Sequence, residues 1–117
     1  MAYDEALAAR FRAALIDTPN VTEKKMMGGV CFLINGNMVG GADRTKDGHG
    51  NEVGRFMFRL GKDNDEAGAA LPGAQPMIQG GRRMRGFFFV DEKDCSDEVM
   101  RQWRELAVAH ASSLPIK

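Results

Sequence analysis

The stretch Gly29-Val30-Cys31-Phe32-Leu33-Ile34-Asn35-Gly36-Asn37-Met38-Val39-Gly40-Gly41-Ala42 decides the fold. Two apolar runs flank Asn35-Gly36, and a type I′ turn needs positive φ at both of its central residues. Asparagine and glycine accept that geometry most readily, so the stretch is a β-hairpin. Upstream, residues 21–27 are extended or strand-like. Downstream, residues 43–54 are polar and glycine-rich and are expected to form a mobile loop. Residues 55–60 then alternate. Phe56, Phe58 and Leu60 take one side and Arg55, Met57 and Arg59 the other, the pattern of a strand with one buried face. Met77-Ile78 is a short strand, and Gly80-Gly81 turns the chain into a strong strand over 84–91. There Phe87, Phe88, Phe89 and Val90 put apolar groups on both faces, so this strand is central or covered.

Helices bracket these strands. Leu7, Phe11, Ala14 and Leu15 make one apolar stripe over residues 4–16, with Asp4 as N-cap and Thr18-Pro19-Asn20 as the stop. Asp63 or Asn64 caps a short helix through Ala70, weakened by Gly68. Ser96 caps the last helix, whose stripe is Val99, Trp103, Leu106, Ala107 and His110. The predicted order is helix, three strands, helix, two strands, helix. Hairpin links make the sheet of about five strands mostly antiparallel, with helices on one face. That is an α+β domain in two layers.

The chain has 117 residues, 16 basic and 16 acidic, so its formal charge is zero. At this length about two-thirds of the extended chain's surface can be buried, enough for a single domain over 1–117. Apolar residues at 44% and charged residues at 27% exclude disorder, collagen and coiled coil. Charge neutrality removes any global field that would steer a polyanion. No apolar run approaches a membrane span. The acidic opening Met1-Ala2-Tyr3-Asp4 is no secretory signal, so a cytoplasmic protein with Cys31 and Cys95 reduced is expected.

Catalytic patterns are missing. Serine occurs only at 96, 112 and 113, which provides no nucleophile elbow. Gly61-Lys62 lacks the upstream glycine of a phosphate-binding loop, and Gly28-Gly29 precedes a strand rather than a helix. Two cysteines and two histidines, widely spaced, do not make a zinc site. His49 stands near Asp43, Asp47 and Glu52, but a solvated loop holds no coordination shell ready. His110 is expected to pack near the helix C-terminus, where positive charge suits the dipole. The acids Asp91, Glu92, Asp94, Asp97 and Glu98 suit a solvated loop and a helix start. Met57, Met77 and Met84 fill core gaps or form an adaptable surface for a partner. No catalytic residue, metal ligand or cofactor site is assigned, and an enzyme is not expected.

One constellation is suggestive. Arg82, Arg83 and Arg85 lead into Phe87, Phe88 and Phe89, and arginines beside aromatic residues on a strand are how RNA-recognition sheets work. The run 85–90 echoes the RNP1 pattern but breaks it at Phe88 and again at Glu92. Arg55 and Arg59 can share a face with Phe87, and Lys24 and Lys25 can add charge from the first strand. These eight residues (Arg82, Arg83, Arg85, Phe87, Arg55, Arg59, Lys24 and Lys25) form the expected interaction surface.

The chain resembles the TfoX N-terminal domain family from its first helix to its last. The resemblance rests on Val21-Thr22-Glu23-Lys24-Lys25-Met26-Met27-Gly28-Gly29 leading into Phe32-Leu33-Ile34-Asn35-Gly36-Asn37-Met38. It continues with Pro72-Gly73-Ala74-Gln75-Pro76-Met77, Gly81-Arg82, Met84-Arg85-Gly86, Val90-Asp91, Trp103 and Ser113-Leu114-Pro115. Met27 stands where the family usually has Phe, and the segment 43–54 is longer than in many members. The resemblance implies a two-layer α+β domain and no established catalytic residue. The family takes its name from regulators of DNA transformation, in which a second, C-terminal domain follows. Here a stand-alone N-terminal-type domain is expected. The expected function is a non-enzymatic, cytoplasmic protein-interaction or regulatory module. Its partner is another protein or a second copy of the chain, met through apolar sheet surface at Cys31, Leu33, Phe88 and Val90. The alternative is a weak nucleic-acid binder using the Arg/Phe-rich sheet face. No membrane partner is expected.

Overall fold

The computed structural model describes residues 4–26 and 28–117. Met27, the departure from the family pattern, lies outside the described residues. Helix α1 (Glu5–Ala14) is followed by strands β1 (Val21–Met26), β2 (Gly29–Ile34), β3 (Asn37–Lys46) and β4 (Glu52–Arg59). A 3-10 turn over Lys62–Asn64 leads into the short helix α2 (Asp65–Ala69). Strands β5 (Gln75–Gln79) and β6 (Arg82–Asp91), a second 3-10 turn and the long helix α3 (Asp97–Ser113) complete the chain. Among the described residues there is one antiparallel sheet, in the order β1-β2-β3-β4-β6-β5. The α+β class holds. Four strands, not three, precede the second helix, and the sheet has six.

The extra length comes from the segment expected to be a loop. Pairing of β3 with β4 continues to Lys46 opposite Glu52, leaving only residues 47–51 outside the ladder. Cross-strand ion pairs carry it there. Asp43 receives Arg55, and Glu52 receives Arg44, which also holds Asp4 at the start of α1. Asp47 then accepts the amides of His49 and Asn51, so the tip is a structured turn.

The turn at Asn35-Gly36 has the expected geometry, with φ of 52° and 82°. Alternation puts Val30, Phe32, Phe56, Phe58, Phe88 and Val90 on one face, all buried, beneath α1 and α3. Phe11 of α1 stacks on Phe32 and Phe58, and Trp103 of α3 stacks on Phe58. Helix α2 covers the same face, because a Cβ at Gly68 would meet Leu60 and Phe88. Asn64 does not cap it through its side chain, which donates instead to the Leu60 carbonyl. Among the described residues no helix is long and apolar enough to cross a membrane.

Candidate interaction face

The register fixes what lies on the side of the sheet that no described helix covers. Lys24, Cys31, Gly41, Met57, Phe89 and Gln75 stand in one row across all six strands. Met26, Met38 and Met77 flank the row and, with Cys31, Met57 and Phe89, line a groove of about 260 Å³. Two glycines shape it. Gly41 leaves the centre open, since a Cβ there would press on the Val30 carbonyl and the Cys31 backbone. A Cβ at Gly29 would strike Asp43. The guanidinium of Arg55 lies 3.6 Å from the centre of the Phe89 ring and donates to Asp43, which makes a flat polar rim on an apolar floor. Burial pushes the Cys31 thiol above its ordinary pKa, and burial pushes Cys95, in the core, up to about 11. Both cysteines are free and protonated at neutral pH, so neither is an activated nucleophile.

The eight expected surface residues part company. Arg55, Arg59 and Phe87 share the uncovered face with Lys24, and Arg59 lies 5.9 Å over the Phe87 ring. Arg85 stands near them, lining a second cavity with Arg59 and Phe87. Arg83 turns to the helix side and donates to Asp65 at 2.8 Å. Arg82 sits beside the exposed Gly80-Gly81 turn. Lys25 pairs in register with Val30, on the covered side. The arginine triplet is therefore not one surface. The cause is Gly86, whose φ of 82° and irregular pairing with β5 break the alternation within β6. Phe88 and Val90 are buried under the helices, so apolar contact on the open face falls to Phe87 and Phe89. The groove methionines Met26 and Met38 were not singled out in the sequence. Met26 shares strand parity with Lys24, but Met38 reaches this face only through the irregular pairing at Phe32/Leu33, so no alternation pattern in the sequence marks it.

A concavity of about 530 Å³ between α1 and α3 offers less. Arg10 donates to the Cys95 carbonyl and Asp97, and Arg104 to the Ala14 carbonyl, so its polar groups already serve the fold. Of the carboxylates near His49, Glu52 and Asp43 are engaged by Arg44 and Arg55, and Asp47 by the amides of His49 and Asn51. Among the described residues no group of three His, Cys, Asp or Glu is placed to hold a metal ion. His110 does pack near the end of α3, but burial and nearby Arg59 lower its pKa, against the positive charge expected for it.

Comparison with protein families matches the TfoX N-terminal domain to residues 13–111, from the end of α1 to the last turn of α3. Searches of curated proteins and of solved structures gave no match. The match spans nearly the whole chain and every strand of the sheet, and the chain belongs to the TfoX N-terminal domain family.

Proposed function

We propose that this protein is a non-enzymatic interaction module that receives an apolar, acid-flanked segment of a partner protein on the uncovered face of its sheet. The observation that carries the reading is the groove of Cys31, Met38, Met57, Met77 and Phe89, lying opposite a fully formed core. Methionine is unbranched and polarizable, so a methionine-lined floor adapts to a partner's side chains. Lys24 beside Cys31 and Arg59 beyond Met57 supply positive ends, while Arg55 is neutralised by Asp43. Charge complementarity then favours acidic residues flanking the partner's apolar core. Family membership supports a regulatory setting, and two buried free thiols suit the cytoplasm.

The test is partner capture by the tagged full chain, with Met57→Lys and Met38→Lys, both only half-buried, beside it, followed by titration of the captured protein's apolar segment as a peptide. Methyl signals of Met38, Met57 and Met77 should move on titration, and both variants should lose capture while keeping the wild-type melting curve. Capture that survives both substitutions would sink the reading. Sedimentation of the chain alone covers the other occupant: a dimer abolished by Met57→Lys would assign the face to a second copy.

A further inference from the structure

Where β4 ends, the sheet meets the last turns of α3 around a cavity of about 310 Å³. Its lining includes Arg59, Lys62, Asp63, Arg85, Phe87 and His110. Three different segments thus deliver three cations: Arg59 from β4, Lys62 from the 3-10 turn and Arg85 from β6. Among the described residues Arg12, Arg44, Arg55, Arg83 and Arg101 each hold a carboxylate, whereas these three have no ion pair. Asp63 is the one carboxylate in the lining, and Asp65, close enough to feel Arg85, is already paired with Arg83. The cavity is net positive by two in a chain whose formal charge is zero.

The backbone is drawn in tightly around it. Gly61 has φ of 87° and Gly86 φ of 82°, the Leu60 amide donates to the Gly86 carbonyl, and a Cβ at Gly61 would overlap the His110 ring. Nε2 of His110 is shielded from solvent and has no hydrogen-bond partner. Buried polar atoms are normally satisfied, and one left open beside uncompensated cations is a place for an anion. Forked guanidinium donors match a tetrahedral oxyanion, and an ammonium adds a point charge.

We propose that this cavity binds a phosphomonoester dianion, held by Arg59, Lys62 and Arg85 with His110 as a further donor. The half-buried Phe87 ring forms a flat apolar wall for the ester's organic part. The dianion matches the surplus charge of two, whereas a phosphodiester would leave half of it unopposed. The site is separate from the methionine groove, and each stands or falls without the other.

Inorganic phosphate is the first probe, titrated into the full chain at low ionic strength against chloride of equal ionic strength. Amide signals of Lys62 and Asp63 and the His110 ring signals should shift saturably with phosphate and not with chloride. The ring faces Arg59, Lys62 and Arg85 against Asp63, and its titration midpoint should rise when phosphate is bound. Arg85 and Lys62 are exposed, so Arg85→Gln and Lys62→Gln should fold normally and each weaken binding about tenfold. Phosphoserine and a nucleoside 5′-monophosphate, titrated in parallel, show whether a protein-borne or a nucleotide ester is the better source. Shifts that fail to saturate, that appear equally with chloride, or that persist in both variants overturn the proposal.

Discussion

The indole N–H of Trp103 donates to the carbonyl of Pro72 at 2.9 Å. This bond joins the middle of α3 to the loop that follows α2. The ring is fully buried, with Phe58 and Phe88 centroids 5.3 and 5.4 Å away. Trp103→Ala should therefore cost about 3–5 kcal/mol, the loss expected for a large aromatic side chain removed from a packed core. Trp103→Phe keeps much of the packing and forfeits the hydrogen bond, so it should cost about 1–2 kcal/mol. Denaturant midpoints give both numbers. A loss below about 1 kcal/mol for the alanine variant would mean that the helix does not dock through this ring.

Two glycines in the same hairpin should respond very differently to alanine. Gly86 has positive φ, and a Cβ there would lie 2.5 Å from the Gly61 carbonyl. Gly80 also has positive φ, but nothing stands within 4 Å of its Cβ position. Gly80→Ala should cost only the left-handed penalty of about 1–2 kcal/mol. Gly86→Ala should cost clearly more, because the backbone at Gly61-Lys62, in the turn after β4, must move. Equal losses in thermal melts would contradict the close approach of residues 61 and 86.

Asp65 holds two things at once. Its carboxylate accepts from Arg83 at 2.8 Å and from the Gly86 amide at 2.7 Å. The Arg83 bond first, and then the Gly86 amide, pull its pKa below the usual carboxylate value. The folded value being the lower one, this stabilisation is complete above pH ~4 and disappears as acid titrates the folded carboxylate. Asp65→Ala should cost about 1–3 kcal/mol at neutral pH by stranding a buried amide. The gap from wild type should narrow in strong acid, which urea melts across pH 2–7 would show.

His110 acts in the opposite pH range. Burial, and then Arg59, lower its pKa, while Asp63 raises it. A base with a depressed folded pKa binds fewer protons folded than unfolded, so stability rises with pH through that window. Its contribution is complete above pH ~6.5 and is lost as the pH falls below it. His110→Gln should flatten the stability profile between pH 5 and 7 and leave the acid limb set by Asp65 unchanged. An unaltered profile would show that the imidazole is freely solvated.

Nucleic-acid binding should be weak. Arg83 is paired with Asp65, and the Phe89 ring already lies under Arg55 at 3.6 Å, so a base would have to displace a guanidinium to stack there. Fluorescence anisotropy with single- and double-stranded probes should give nothing tighter than roughly micromolar at physiological salt. Replacing Arg82, Arg83 and Arg85 together by alanine should change that little. Tight binding abolished in the triple variant would promote the nucleic-acid reading over the protein-interaction one.

The hairpin at Asn35-Gly36, the Trp103 stripe and the alternation of Phe56 and Phe58 were legible because each is a local pattern with one physical meaning. The extension of β3 and β4 was not. Asp43, Arg44, Lys46 and Glu52 are turn-like in composition, and the cross-strand salt bridges that make them a ladder appear only once the register is known. The arginine cluster misled for a related reason. Neighbours in sequence are not neighbours on a face here, because the irregularity at Gly86 sends Arg83 to the far side. The methionine groove needed the order of all six strands, which no single stretch encodes.

The tail beyond α3 comes back to the first hairpin. The Lys117 backbone amide donates to the Asn35 carbonyl at 3.0 Å, and the side-chain amide of buried Asn37 donates through Nδ2 to the Pro115 carbonyl at 2.9 Å. The two segments, 78 residues apart at the Asn37–Pro115 bond, therefore clasp each other. Each segment must release the other's hydrogen bonds before it can open. In hydrogen exchange, the β2–β3 turn and the tail should open together as one cooperative unit, ahead of the strands on either side.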